Sequence, residues 1–127
     1  MNLNNFTIKG RDTINQAAQI AASSGQQAIE TGHLLKALQQ IAENITGYIF
    51  NKLSINSNAL NLALDRIIDG YSKVSGGQPY LSNAANSAIQ KAIKYASDMG
   101  DQFVSIEHLL LGLLEAGDQV SSLMKDS

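Results

Sequence analysis

The stretches IETGHLLKAL (residues 29–38) and VSIEHLLLGL (residues 104–113) carry one pattern twice in a chain of 127 residues. His108 follows His33 by 75 positions, and a glycine precedes each histidine by eight. With that constant offset, nine of 25 positions in this part of the chain are identical between the two halves. Most of the identical positions are apolar or are the glycine, which is what a duplicated packing unit retains.

The pattern around each copy is helical. Apolar residues recur at helical spacing before each glycine, at positions 14, 17, 18 and 21 and again at 89, 92, 93 and 96. Gly25 and Gly100 are placed to end these helices, and a second helix starts near Thr31 in the first copy. A short third helix is predicted over residues 47–53, and a longer apolar stripe covers residues 59–71.

We therefore predict an all-α fold in which two four-helix units form a pseudo-twofold tandem repeat within a single domain, residues 1–127. Repeat one covers residues 1–71 and repeat two covers residues 80–127. The segment SKVSGGQP, residues 72–79, is a linker because its glycines and proline break helices. The stripe of residues 59–71 has no counterpart, so the chain is cut there or the last helix is short or absent. Apolar surface would then be uncovered at that end unless another element covers it.

Composition excludes several classes of protein. The chain is 44% hydrophobic and 16% charged with a net charge of −2, which is typical of a soluble globular domain and argues against nucleic-acid binding. No apolar stretch is long enough to span a membrane, and no signal peptide is recognisable. Cysteine is absent, which fits a cytoplasmic protein. No metal-ligand motif, phosphate loop or marked nucleophile occurs, so we predict no cofactor and no enzymatic activity.

The two histidines have a structural interpretation. If Glu30 and Ser105 are the N-caps, each histidine occupies the third helical position, from which its side chain reaches back toward free N–H groups. Metal binding would need further ligands at helical spacing, and catalysis would need an oriented nucleophile. We therefore predict that both histidines cap their helices.

Asp101 and Glu107 flank Phe103 in the second copy, where the first copy has Gln26 and Gly32. Positions that differ between copies are free of the shared packing role and are available for function. The alternative is that both carboxylates are merely solvated, and that Glu107 complements the dipole of its helix.

In sequence the chain resembles the N-terminal domain of the Clp ATPase chaperones, above all the ClpB-type disaggregases. The resemblance covers essentially the whole chain and is carried by NNFTIK (4–9), QQAIETGHLLKAL (26–38), KVSGGQPYLS (73–82) and GDQFVSIEHLLLGLL (100–114). It implies an all-helical, non-catalytic domain tethered to a hexameric AAA+ ring, while the isolated domain is expected to be a monomer. It also implies binding of unfolded or aggregated client proteins, docking of an adaptor or co-chaperone, and no partner nucleic acid or membrane.

The same resemblance implies a set of substrate-binding residues around an apolar groove. They are Thr7, Ile89, Asp101, Phe103, Glu107 and His108. His108 stands where relatives can carry leucine, so the groove is expected to be more polar here. The leading hypothesis is a client-binding domain, and the alternatives are an adaptor-docking domain of a protease-linked Clp ATPase, a stand-alone enzyme, or a helical scaffold without a binding role.

Overall fold

The computed structural model describes residues 2–74 and 76–127 and is mainly helical. The helices are α1 (Ile8–Ser23), α2 (Thr31–Ile41), α3 (Glu43–Lys52), α4 (Ser57–Asp69), α5 (Asn83–Asp98), α6 (Ile106–Leu114) and α7 (Gln119–Asp126). Two strands of two residues are β1 (Ala28–Ile29) and β2 (Tyr80–Leu81). The predicted all-α class is confirmed. Helices α5, α6 and α7 follow α1, α2 and α3 at the offset of the sequence repeat, and no described residues form a counterpart of α4.

The first helix of each half begins and ends in the same way. Thr7 and Ser82 are the N-caps, and their hydroxyl oxygens accept hydrogen bonds from backbone N–H groups three residues later, at 3.0 and 3.1 Å. Gly25 and Gly100 follow the ends of these helices with φ of 70° and 73°, a left-handed conformation that glycine adopts without strain. The predicted role of both glycines as helix stops is confirmed.

The third helix begins earlier than predicted. The apolar pattern indicated residues 47–53, whereas α3 begins at Glu43, directly after Ala42. Glu43 and Asn44 are exposed and polar, so the apolar side chains of this helix begin only at Ile45. Instead, the hydroxyl of Thr46 donates to the carbonyl of Ala42 at 3.1 Å, and the Glu43 carboxylate complements the positive end of the helix.

Short strands cross-connect the two halves, and the sequence analysis did not predict them. β1 and β2 pair in parallel, and Phe6 pairs with Val104 in an isolated bridge. The N–H of Thr7 donates to the carbonyl of Val104 at 2.9 Å, and the N–H of Ser82 donates to the carbonyl of Ile29 at 3.0 Å. In each case the segment entering the first helix of one half is held by the segment entering the second helix of the other half. The two halves are therefore interlocked.

The core lies where the first two helices of each half meet. Side chains from α1, α2, α5 and α6 line an interior crevice with no room for a water molecule: Thr13, Leu34, Leu38, Ala88, Ile89, Leu109 and Leu113. Every buried side-chain polar atom of the described residues has a hydrogen-bond partner. The close contact between α5 and α6 depends on Gly112, because a Cβ there would meet the carbonyl oxygen of Ala88.

We predict that Gly112→Ala destabilises the protein by about 1–3 kcal/mol, the usual cost of overpacking a tight contact. The added methyl group would meet main-chain atoms of Ala88 and Ala92, which cannot rotate away. Urea unfolding followed by circular dichroism measures the change. Gly47 in α3 is the matched control, because nothing lies within 4 Å of its Cβ position. Gly47→Ala should stabilise by about 0.5–1 kcal/mol through helix propensity alone. A Gly112→Ala protein as stable as the wild type would contradict this packing.

Candidate functional site

Both histidines cap the N-terminus of the helix in which they lie. The Nδ1 atom of His33 accepts a hydrogen bond from the backbone N–H of Glu30 at 2.9 Å, and Nδ1 of His108 accepts one from Ser105 at 2.9 Å. Each histidine is the third residue of its helix and completes a capping box with the N-cap residue. The predicted structural role of both side chains is confirmed.

The other ring nitrogen of each histidine contacts the residue that follows the helix-stopping glycine. Nε2 of His33 lies 2.6 Å from Oε1 of Gln26, and Nε2 of His108 lies 2.8 Å from Oδ2 of Asp101. Because Nδ1 is an acceptor in both rings, we assign the hydrogen to Nε2, which donates to the amide or carboxylate oxygen. The loop between the first two helices is thereby closed by a side-chain bridge in each half.

His33 is held in a neutral state within a buried network. The Gln26 amide bridges two partners, because its Nε2 also donates to the carbonyl of Ile68 in α4 at 2.6 Å. The ring of Tyr71 lies 5.3 Å from the imidazole, centroid to centroid. Burial, assisted by the positive charge of Lys36, lowers the pKa of His33 to about 4.

Ser105, His108 and Asp101 together have the residue types of a hydrolytic triad, but their geometry is that of a cap. The Ser105 hydroxyl oxygen is 3.0 Å from Nδ1 of His108, yet it lies 2.6 Å from a carboxylate oxygen of Glu107, to which it donates. The same Nδ1 already accepts the backbone N–H of Ser105, so it is not free to take the serine proton. The first half builds the same arrangement with Glu30 and Gln26, which supply no nucleophile.

Four of the predicted site residues lie at or close to the starts of α1 and α6, which the backbone hydrogen bond from Thr7 to Val104 holds together. Thr7 is bonded through its backbone to Val104, which places it beside Phe103 and the loop that Asp101 begins. Asp101 and Phe103 are exposed, with 51% of the Asp101 side chain and 45% of Phe103 accessible. Glu107 is exposed in the first turn of α6.

Ile8 is a further exposed apolar residue at the start of α1, and it was not among the predicted site residues. It is 69% accessible and directly follows the N-cap Thr7. The available signal in the sequence was an isoleucine that lies off the apolar face of its helix. We call the surface formed by Thr7, Ile8, Asp101, Phe103 and Glu107 the α1–α6 patch.

Two predicted site residues are not on this surface. Ile89 is 0% accessible and fills the core between the helices, so the prediction that it lines an open groove is wrong. His108 is 4% accessible, and both its ring nitrogens already have partners. Its predicted contact with substrate is therefore also wrong, because the imidazole has neither free surface nor a free donor to offer.

An apolar groove of about 280 Å³ is present, but it lies between α3 and α6 rather than beside Ile89. We call it the α3–α6 groove; its lining is Ile49, Phe50, Leu53, Ile55, Glu107, Leu110, Leu111, Leu114 and Met124. All but Glu107 are apolar. It leaves apolar surface accessible beside the second helix of the second half.

Residues 2–74 and 76–127 show neither a metal-binding cluster nor a membrane-spanning helix. No group of three or more histidine or carboxylate side chains there is arranged to hold a metal ion. None of the helices described is both long enough and apolar enough to cross a membrane.

Comparison with known sequences identifies close relatives. The family described as "Clp repeat (R) N-terminal domain" matches residues 5–127. The chaperone protein ClpB of Bacteroides thetaiotaomicron is 46% identical over all 127 residues, and that of Porphyromonas gingivalis is 41% identical over the same length. The chain spans only 15% of the length of each of these relatives.

Solved structures share the fold at low sequence identity. The Hsp104 N-terminal domain of Candida albicans superposes with a TM-score of 0.81 and 20% identity, covering 97% of this chain and 81% of that one. The N-terminal domain of the ClpV1 ATPase of Escherichia coli gives a TM-score of 0.80 and 19% identity, covering 98% of this chain and 85% of that one.

We predict that NMR titration of the His33 ring hydrogens gives a pKa of about 4. An unfolded histidine titrates near 6.5, so between these values the unfolded state binds the additional proton. The free energy of unfolding should therefore decrease as the pH falls from about 6.5 to about 4. This group accounts for a decrease of roughly 3 kcal/mol in total. His33→Gln, which keeps an acceptor at the capping position, should remove this part of the pH dependence. A His33 that titrates near 6.5 would contradict the buried network.

Proposed function

Since the chain belongs to the family of Clp repeat (R) N-terminal domains, we propose that it is the substrate-recognition domain of a ClpB-type disaggregase. In this proposal it binds exposed apolar segments of unfolded or aggregated proteins in the cytoplasm and passes them to a hexameric AAA+ ring. ATP hydrolysis belongs to the remainder of the parent chain, and the domain contributes binding alone.

The observation that carries this proposal is the pairing of exposed apolar side chains with fixed carboxylates on the α1–α6 patch. Ile8 and Phe103 are apolar side chains that are largely open to water, at 69% and 45% accessible. Asp101 is oriented by His108, and Glu107 by the hydroxyl of Ser105. An apolar segment with a flanking lysine or arginine complements this surface. Its apolar side chains contact Ile8 and Phe103, and its positive charge pairs with the carboxylates.

The expected affinity is low, which suits a domain that must release its clients. Complete burial of one large apolar side chain contributes about 1.5–3 kcal/mol, and the patch offers only partial burial for two or three. Ordering a disordered segment offsets much of this. We expect a Kd of roughly micromolar to millimolar, and six tethered copies would raise the avidity without tightening any single site.

A second candidate is docking of a folded adaptor, as expected for a protease-linked Clp ATPase. The α1–α6 patch favours this candidate in one respect, because its apolar residues stand on open surface with a carboxylate edge rather than inside a groove. A folded partner presents a complementary apolar surface without the entropic cost of ordering a chain.

We predict that a permanently unfolded model protein, titrated into the labelled domain, shifts the amide signals of Thr7, Ile8 and residues 101–107. The double variant Asp101→Asn, Glu107→Gln should weaken this binding by about three- to tenfold at low salt, since each exposed charge contributes a few tenths to 1 kcal/mol. The amide introduced at position 101 would still accept the His108 hydrogen bond, as the amide of Gln26 accepts that of His33 in the first half, so the fold is preserved.

The matched control removes the same amount of charge elsewhere. Asp12 and Glu43 are exposed carboxylates outside the patch, and Asp12→Asn, Glu43→Gln should leave the affinity unchanged. Equal weakening by both double variants would mean that the effect comes from net charge and not from these two positions. If no signal moves at millimolar client, direct client binding is refuted and the folded adaptor becomes the leading partner.

A further inference from the structure

A chain of hydrogen bonds joins the two carboxylates of the α1–α6 patch through the imidazole of His108. Oδ2 of Asp101 lies 2.8 Å from Nε2 of the ring, and Nδ1 lies 3.0 Å from the hydroxyl oxygen of Ser105. That hydroxyl donates to Oε2 of Glu107 at 2.6 Å. The ring is 4% accessible, whereas both carboxylates are exposed. The cap of α6 is therefore also an internal connection between two surface anions.

The first half of the chain has the same cap without this connection. Gln26, Glu30 and Gly32 occupy the places of the aspartate, the serine and the glutamate. No hydroxyl therefore stands beside Nδ1 of His33, and the partner of its Nε2 is an amide that carries no charge. Only the histidine of the second half is hydrogen-bonded into a pair of carboxylates.

The charges in hydrogen-bond contact with this chain of groups are negative. Lys36, whose charge acts on His33, has the uncharged Leu111 as its counterpart on α6. Helices α1, α2, α5 and α7 pack against α6. Their titratable side chains are Lys9, Arg11 and Asp12 in α1, His33 and Lys36 in α2, Lys91, Lys94, Tyr95 and Asp98 in α5, and Lys125 and Asp126 in α7. None of these described side chains is within hydrogen-bond distance of the His108 ring.

Protonation of the ring rearranges these hydrogen bonds and keeps the two carboxylates connected. Histidine ordinarily takes up a proton from solvent between about pH 5 and 8. In the neutral ring, Nδ1 accepts the backbone N–H of Ser105 at 2.9 Å. In the charged ring, Nδ1 carries a hydrogen and donates it to the Ser105 hydroxyl oxygen, which still donates to Glu107. The N–H of Ser105 loses its acceptor, and the positive charge is linked to Asp101 directly and to Glu107 through the serine.

We propose that His108, acting with Ser105, is a proton-dependent positioning residue that sets the charge preference of the α1–α6 patch. With the ring neutral, the patch presents two carboxylates to a lysine or arginine of the client. With the ring protonated, one of the two negative charges is neutralised and both carboxylates are drawn toward the internal cation. The patch then binds cationic segments less tightly, while the apolar contacts with Ile8 and Phe103 are unchanged. This inference rests on the proposed function, client binding at the patch.

NMR titration of the free domain tests the connection between the groups. The carboxyl carbon signals of Asp101 and Glu107 should show an inflection at the pH at which the His108 ring signals titrate. The signals of Asp12 and Glu43, exposed carboxylates outside the patch, should show none at that pH. The proposal is overturned if His108 stays neutral down to about pH 5, or if the two carboxyl signals do not follow its titration.

The serine has its own pair of variants. Ser105→Ala removes the hydroxyl that links Nδ1 to Glu107, so it should reduce the inflection of Glu107 and leave that of Asp101. Ser105→Thr keeps a hydroxyl and should restore the inflection. An inflection of Glu107 that is the same in all three proteins would show that the serine does not transmit the charge.

Two peptides test the effect on client binding. Both contain the same apolar segment, have blocked ends and lack histidine and carboxylates; one is flanked by two lysines and the other by two glutamines. Lowering the pH from about 7.5 to about 5.5 should weaken binding of the lysine peptide by at least about threefold at low salt, and binding of the glutamine peptide by less. His33, the other histidine of the chain, stays neutral over this range because burial lowers its pKa to about 4. Ordinary carboxylates stay ionised.

His108→Gln removes the proton site and keeps an acceptor for the N–H of Ser105, as glutamine does in a capping box. In this variant the affinity for the lysine peptide should no longer depend on pH, and circular dichroism shows whether it is folded. If the pH response persists in the folded variant, another group carries it and the inference is wrong. If both peptides bind the wild type and respond equally to pH, the inference alone is refuted. If neither peptide binds at about pH 7.5, client binding at the patch is refuted, and the charge preference with it.

Discussion

A buried imidazole at the third position of the second helix is the constraint on which each half of the molecule depends. In the first half, His33 accepts a backbone N–H through one nitrogen and contacts Gln26 through the other. Gln26 then reaches the carbonyl of Ile68 in α4. One side chain thereby fixes the start of α2, the end of α1 and, through the amide, the end of α4. A leucine at that position would leave the N–H of Glu30 and the amide oxygen of Gln26 without partners in a buried site.

The two halves keep this cap and diverge around it. Asp101 replaces Gln26 as the partner of the histidine, and Glu107 replaces Gly32 in the first turn of the helix. Both substitutions add a carboxylate at the surface without removing a hydrogen bond from the cap. The charge of the α1–α6 patch therefore arises from positions where the structural role tolerates an anion.

The molecule has two distinct apolar features, the α1–α6 patch and the α3–α6 groove. The α1–α6 patch presents single exposed side chains on an open surface, which suits weak and varied contacts. The α3–α6 groove is a continuous apolar depression lined by α3, α6 and α7. Glu107 belongs to both features.

Local patterns in the sequence determined the helices and their ends. Helical spacing located α1, α2, α4, α5 and α6. The two glycines located the stops, and the third helical position identified both histidines as caps, because these features depend on neighbours within one or two turns. The start of α3 was missed because Glu43 and Asn44 have no apolar side chains to report it. Only the tertiary structure decided that Ile89 and His108 are buried, that Phe6 pairs with Val104, and that α3 meets α6 in a groove. These facts depend on residues distant in sequence: the accessibility of a side chain is fixed by the helices packed over it, and one amphipathic pattern fits several such packings.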